Sequence, residues 1–452
     1  MARNCATARP GVQANTQLAG RFQERLYSFV RPLLEQLNTQ MDVRLVRTFL
    51  ATLFAIVQWR NRAHGLLLSE LGGYLCSPDQ APAGTKRLSN LLRCSRWAAS
   101  LISDFLWNAA QERVSSLLAQ GETPFIVWDE SVLEKPESTT SEGLCSVRSS
   151  KARRLKRIRK GFYNPPGGPP ICVAGLNWLG ALVVGKRGAP TVAAMRWWTK
   201  RGARASDHRT EMQGLLEQCQ RAWKQDVLHV FDRGYASGPW ISTFLQTQIR
   251  FVVRWKKGQK LVDNWGESRK AWEITRGKRS QSYRYLRDRS SGQTRKVGLV
   301  VVPVNHPSHA QPLWLVVARP GKGLEPWYLL TSETMRTSEE GWKGVLAYGR
   351  RWQIETAWRY SKSELAMESP RLWTWERREK LLLMATLVYA FLLSLLDPEL
   401  SELRALVLRL WCHRTGKRSQ DTPAPLYRLR SALSRLWQAY LPSPLTPSLS
   451  LG

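Results

Sequence analysis

The segment Tyr348–Lys362, YGRRWQIETAWRYSK, constrains this chain more than any other stretch. An α-helix turns about 100° per residue, so Tyr348, Arg351, Glu355 and Lys362 fall within one strip of about 60° on its surface. Ala347, Ile354, Trp358 and Leu365 form an apolar strip beside it. Such a helix docks through its apolar stripe and presents one carboxylate among an aromatic hydroxyl and two cations. Taken alone, the same pattern also describes a solvated charged face.

Charge narrows the partners. Of 452 residues, 68 are Lys or Arg and 35 are Asp or Glu, a formal net charge of +33. That excess repels itself without a polyanion, and arginine suits bidentate contact with phosphate. Nucleic acid is favoured over anionic membrane, because no segment reads as a basic amphipathic anchor. The seven cysteines are scattered and never spaced CxxC, which argues for a reducing compartment and against structural zinc. His306 and His309 flank Pro307 with no cysteine nearby and read as a surface turn. The N-terminus lacks an apolar signal core. The run Leu381–Leu396 is shorter than the ~20 residues that span a bilayer and reads as a buried helix. A cytoplasmic protein away from membranes is the expectation.

Along the chain, residues 1–118 carry apolar residues at helical spacing. Within them, LLLSELGGYLCSPDQAPAGTKRLSNLLRC sets two short helical patterns around a Gly/Pro-rich break. It fits a DNA-reading helix-turn-helix or a plain helical hairpin, and Arg87, Arg93 and Arg96 favour the former. At Pro124 the texture changes. TPFIVWDES reads as a short buried strand ending on Asp129, and VLHVFDRG as another ending on Asp232. Between them lies a basic run from Arg148 through Lys151, Arg153, Arg154, Lys156, Arg157 and Arg159 to Lys160, followed by Phe162 and Tyr163. It reads as a phosphate-contacting arm. ICVAGLNWLGALVVG and PTVAAMRWW read as adjacent strands. RFVVRWKKG, SYRYLRD, KVGLVVVPV and PLWLVVA read as a β-rich insertion, after which WYLLTS resumes the main sheet.

Open α/β sheets place active sites at the carboxyl ends of strands, where Asp129 and Asp232 fall, and Glu355 adds a third carboxylate from a helix. Three such acids repel one another unless cations lie between them, and hard oxygen ligands suit Mg²⁺. Two such ions activate the attacking oxygen and stabilise the leaving one in phosphodiester displacement. The plainer alternative is that each strand-terminal Asp caps the next helix.

Tyr348, Arg351, Glu355 and Lys362 match the Y-x2-R-x3-E-x6-K signature of bacterial insertion-sequence transposases in the family named for insertion sequence four. FDRGY around Asp232 resembles that family's second-aspartate motif, the strand ending at Asp129 its first, and Trp197–Trp198 a tryptophan pair on its third strand. The resemblance implies an α/β fold with a ribonuclease-H-like (retroviral integrase superfamily) catalytic core interrupted by a β-rich insertion; the α-helical N- and C-terminal domains that flank it come from helical spacing, and the match does not extend to them. The corresponding division is a DNA-binding domain at 1–118, core at 119–248 and 326–380, the insertion at 249–325, and a helical C-terminal region at 381–452 that could support dimerisation and ends in a Pro/Ser tail. Asp129, Asp232 and Glu355 would hold two Mg²⁺ ions, with Mn²⁺ able to replace them. Arg351 and Lys362 would grip DNA phosphates, Tyr348 would hydrogen-bond one, and Trp327 would stack on a base flipped from the element's end. Glu130 beside Asp129 faces the opposite side of the strand.

The implied activity is cut-and-paste transposition. Terminal inverted repeats are bound and nicked, a hairpin forms and reopens, and the ends are joined to target DNA by a homodimer in a synaptic complex. A bacterial, nucleoid-associated location follows. The alternatives are a transposase-derived DNA-binding protein and a structure-selective nuclease.

Overall fold

The computed structural model describes residues 11–59, 62–135, 140–149, 170–287, 292–321, 323–412 and 424–440. Helices α1 (Val12–Asn38), α2 (Val43–Gln58), α3 (Leu68–Leu75), α4 (Ala81–Arg93) and α5 (Ser100–Ala119) come first. Asp42 starts α2 by accepting a hydrogen bond from the Arg44 amide at 2.7 Å, relieving one of the unpaired donors of the first turn. Strands β1 (Phe125–Glu134), β2 (Cys145–Arg148), β3 (Cys172–Val184) and β4 (Thr191–Trp198) follow, then α6 (His208–Trp223), β5 (Leu228–Phe231), α7 (Gly238–Gln246) and β6 (Phe251–Arg254). Next are β7 (Lys260–Val262), β8 (Ser268–Lys270), α8 (Ala271–Thr275), β9 (Ser282–Arg287), β10 (Thr294–His306), β11 (His309–Arg319) and β12 (Trp327–Thr331). The chain then runs through α9 (Ser338–Arg350), α10 (Trp352–Ser363), α11 (Trp375–Ser394), α12 (Ser401–Trp411) and α13 (Leu426–Ala439).

All the strands join one sheet, ordered β2-β3-β1-β5-β6-β12-β11-β10-β7-β8, with β4 paired to β3 and β9 to β10. β3 is antiparallel to β1 and to β4, whereas β1, β5 and β6 are mutually parallel neighbours. Alternation along the strands feeds two apolar layers. Val127, Trp178, Leu182, Val230 and Val252 pack with α1, α2 and the C-terminal helices. Ile126, Leu179, Ala181, Phe231 and Val253 pack with α6 and α7 on the other face. The sheet is thus sandwiched between helices.

The helices before and after the sheet share one core. α11 is buried nearly all round, as expected of the 381–396 run, and packs against α2, α4 and α5. Among the described residues no single helix is long and apolar enough to cross a membrane. The buried Arg430 on α13 donates to the Ile56 carbonyl at 2.7 Å and also to the carbonyls of Trp59 and Glu364, supplying donors where α2 ends.

Three local expectations are corrected. RFVVR is not the first strand of an insertion but β6, parallel to β5 across the α7 crossover. Its apolar residues are buried on both faces, the pattern of an internal strand. β1 does not end at Asp129. It continues to Glu134 because β3 pairs with it along its whole length, while its pairing with β5 stops at Val127↔Val230. The segment Tyr348–Lys362 is two helices: Arg351 separates α9 from α10, and its amide bonds back only three residues to Tyr348, tighter than an α-turn. Gly349 weakens the helix at that point. The apolar stripe holds across the break, with Ala347, Ile354, Trp358 and Leu365 all buried.

Candidate active site

The β1–β5 register sets the first two carboxylates. Asp129 and Asp232 each stand two residues beyond the Val127↔Val230 pair, at the carboxyl edge of the parallel strands. Asp129 Oδ1 accepts the Glu130 amide at 2.9 Å, and Asp232 Oδ1 accepts the Gly234 amide at 2.7 Å as the chain enters a tight turn over Arg233–Tyr235. A Cβ at Gly234 would lie 2.9 Å from that Asp232 oxygen and would displace the carboxylate.

Glu355 arrives in the first turn of α10, which lies across β1 and β3. The helix is keyed there by Trp358, whose ring meets Trp178 at 4.4 Å between centroids. Gly180 makes room, since a Cβ on it would sit 2.4 Å from the Trp358 ring. Trp358 Nε1 then donates to Asp129 Oδ2 at 3.2 Å. Arg351 bridges the acids, with Nη1 3.8 Å from Asp129 Oδ2 and Nη2 hydrogen-bonded to Glu355 Oε1. Burial pushes the Asp129 carboxyl up to about 7. The Arg351 charge opposes that rise, and Asp232 and Glu355 reinforce it.

The aromatic group joins this centre in sequence. Arg351 lies over the Tyr348 ring at 5.8 Å, and Tyr348 meets Trp327 edge-on at 5.1 Å. Trp327 is 37% exposed, enough ring surface to receive another flat group. Lys362 is half-buried on α10, about two turns beyond Glu355. Arg148 is exposed at the end of the outermost strand β2. Lys151, Arg153, Arg154, Lys156, Arg157, Arg159 and Lys160 lie outside the described residues.

Two contributors escaped the sequence reading. Helical spacing assigns Trp358 only to the apolar stripe, although a buried indole N–H needs an acceptor and usually finds one. Arg254 lies over both Trp327 at 5.5 Å and Tyr348 at 5.9 Å, and its Nη1 is buried without a hydrogen-bond partner among the described residues. Its place follows from the Arg254↔Leu329 pairing of β6 with β12, which the sequence does not reveal.

Among the described residues no group of three or more His, Cys, Asp and Glu side chains is arranged to hold a metal ion. The donor chemistry nevertheless fits a hard divalent cation: carboxylate oxygens, with Asp232 and Glu355 disfavouring the charge on Asp129 and a guanidinium already set against two of the acids.

Residues 197–391 match the family described as the transposase DDE domain. The matched region contains Asp232 and Glu355, and Asp129 precedes it. No curated protein matches the chain. Among solved structures, a cryo-EM structure of the piggyBac transposase synaptic complex with hairpin DNA is similar at 13% identity and a TM-score of 0.38, covering 96% of this chain and 87% of that one. A transposase DDE domain is therefore present, and the chain is an enzyme of the DDE transposase class.

Proposed function

From that enzyme class as premise, we propose a cut-and-paste transposase of the insertion-sequence-four family that binds the terminal inverted repeats of its element, cleaves there and joins the ends to target DNA. The observation that carries this reading is Arg351 set against Asp129 and Glu355, with the Asp232 charge also acting on Asp129, at the carboxyl edge of β1 and β5. The strand order β4-β3-β1-β5-β6, antiparallel then parallel, supports a ribonuclease-H-like core.

Asp129, Asp232 and Glu355 would hold Mg²⁺, or Mn²⁺ in its place. When bound, such ions activate the attacking oxygen and stabilise the leaving oxygen of a phosphodiester. Arg351 and Lys362 grip the phosphates flanking the scissile bond, and Arg351 exchanges a carboxylate contact for a phosphate one. Tyr348 hydrogen-bonds a phosphate, and Arg254 adds the unpartnered Nη1 to the same grip. Trp327 stacks on a base turned out of the duplex, which relieves the tight turn of a hairpin intermediate.

Double-stranded DNA is the partner that the +33 charge favours. The N-terminal helices supply a reader in the pair α3–α4. A Cβ on Gly84 would fall 2.1 Å from the Gly72 carbonyl oxygen, so the two glycines permit a close, rigid crossing. The outer face of α4 exposes Lys86, Arg87, Asn90 and Arg93, suited to groove and phosphate contact. A homodimer pairs the two element ends, and the protein works at the bacterial nucleoid.

The test incubates the full chain with Mg²⁺ and the DNA flanking its coding region, resolving nicked, hairpin and joined products on a gel. Joined products that vanish with Asp232→Ala are expected. Cleavage without joining would instead identify a structure-selective nuclease, and binding without cleavage a transposase-derived DNA-binding protein.

A further inference from the structure

The acid next to Asp129 has a partner of its own. Glu130 points to the opposite face of β1, where its Oε2 lies 3.4 Å from Nδ1 of His208. The other ring nitrogen of His208, Nε2, is 3.2 Å from the hydroxyl of Tyr235, a buried residue three places after Asp232. Rings enclose the imidazole. Trp198 is stacked at 6.4 Å with 9° between planes, Trp240 meets it edge-on at 5.2 Å, and Tyr235 at 5.5 Å. His208 opens α6, fixed there by Asp207, whose carboxylate accepts the amides of Arg209 at 2.8 Å and Thr210 at 3.1 Å.

This arrangement answers a mechanical need. Backbone pairing between β1 and β5 stops at Val127↔Val230, and both aspartates stand beyond it. From that point β1 follows β3, while the chain after Asp232 turns away through Arg233–Tyr235. The gap between the two carboxylates is therefore not set by ladder hydrogen bonds. The chain Glu130–His208–Tyr235 spans it with side chains. A neutral imidazole suits both ends: Nδ1–H donates to the Glu130 carboxylate and Nε2 accepts the Tyr235 O–H.

We infer that His208 is a positioning residue: through Glu130 and Tyr235 it clasps the two strand ends and fixes the separation of Asp129 and Asp232 for a divalent cation. The inference rests on the reading of those two aspartates as metal ligands. Partners that orient ligands without touching the ion typically change metal affinity about 10–100-fold when removed.

The test measures Mn²⁺ binding to the full chain by calorimetry, without DNA, and plasmid-DNA binding in EDTA as a control. His208→Ala is expected to weaken Mn²⁺ binding about 10–100-fold while DNA binding in EDTA is unchanged. Tyr235→Phe and Glu130→Leu keep the approximate size of the side chains and break one link each, so each should weaken Mn²⁺ binding by a smaller factor even where His208→Ala folds poorly. His208→Gln, which retains a donor and an acceptor, should recover part of the loss. Unchanged Mn²⁺ affinity in Tyr235→Phe and Glu130→Leu overturns the clasp while Asp232→Ala still abolishes binding. If Asp232→Ala also leaves Mn²⁺ binding unchanged, the ligand assignment falls, and the clasp with it.

Discussion

Asp129 and Asp232 are held differently from Glu355. The two aspartates stand just past a pair of parallel strands whose residues behind them, Val127, Trp128, Val230 and Phe231, are wholly buried. Backbone register carries both strands as far as the Val127↔Val230 pair, so the approach of the two aspartates is hard to shift and only the last two residues of each strand rely on side chains. Glu355 stands one helical turn past the break at Arg351, on a helix located by side chains: Trp358 against Trp178, the notch at Gly180, and the Arg351 bridge. Two acids belong to the frame, and the third belongs to an element that side-chain packing can tilt.

Removing a framed acid should separate function from stability. Asp129→Asn should lower Mg²⁺-dependent nicking by about 10³-fold or more. The same change should raise thermal stability, because burial, Asp232 and Glu355 all disfavour charge on Asp129. Its folded-state pKa lies above the unfolded value, so ionisation costs stability as pH rises from about 4 through 7. The gain in Asp129→Asn should therefore be full at pH 8, on the order of 1–4 kcal/mol, and fade towards pH 4 in calorimetric melts. A lower melting temperature at pH 8 would break the contrast.

The aromatic flank should act on one step only. Trp327→Ala should leave the first nick intact and impair the hairpin step by about 1–3 kcal/mol, the worth of one stacked base. Equal loss at both steps in a time course would remove Trp327 from the working unit.

The helix seat is the next point of attack. Gly180→Ala should push the Trp358 ring away from Asp129 and cost about 1–3 kcal/mol through overpacking. Nicking should drop with it, and combining Gly180→Ala with Trp358→Phe should give less than the sum of the two effects. Strict additivity would mean that the seat is not shared.

A last test addresses the frame itself. His229 on β5 is buried, accepts the Trp128 indole N–H at 2.9 Å, and is held by burial at about 3. The unfolded chain takes up a proton below about 6.5 that the folded chain refuses, so stability falls as pH drops from 6.5 towards 3, by up to about 1.4 kcal/mol per pH unit. His229→Asn, which keeps an acceptor, should flatten that slope in pH-dependent melts.

Local pattern made parts of this arrangement legible. Tyr348, Arg351 and Glu355 could be grouped because helical spacing survives the tight turn at Arg351 well enough to keep Ala347, Ile354 and Trp358 buried together. Asp129 and Asp232 stood out because each follows a short apolar run. What stayed hidden depends on pairing between distant strands. RFVVR looks the same whether it starts an insertion or closes a parallel core, and only its register with β5 and β12 brings Arg254 to Trp327 and Tyr348. The indole of Trp358 and the imidazole of His208 were invisible for a related reason: their acceptors come from strands more than 70 residues away in the chain.

Arg430 has a consequence for synthesis. It closes the end of α2 only when α13, some 370 residues later, has been made. Until then the N-terminal helices lack the cover of Leu429, Leu433, Leu436 and Trp437, all fully buried in the finished fold. Helices made well before α13 are thus completed only after it. A nascent or prematurely terminated chain leaves the ribosome with its N-terminal helices unsealed, and a polypeptide cut short before α13 is a target for chaperones and proteases.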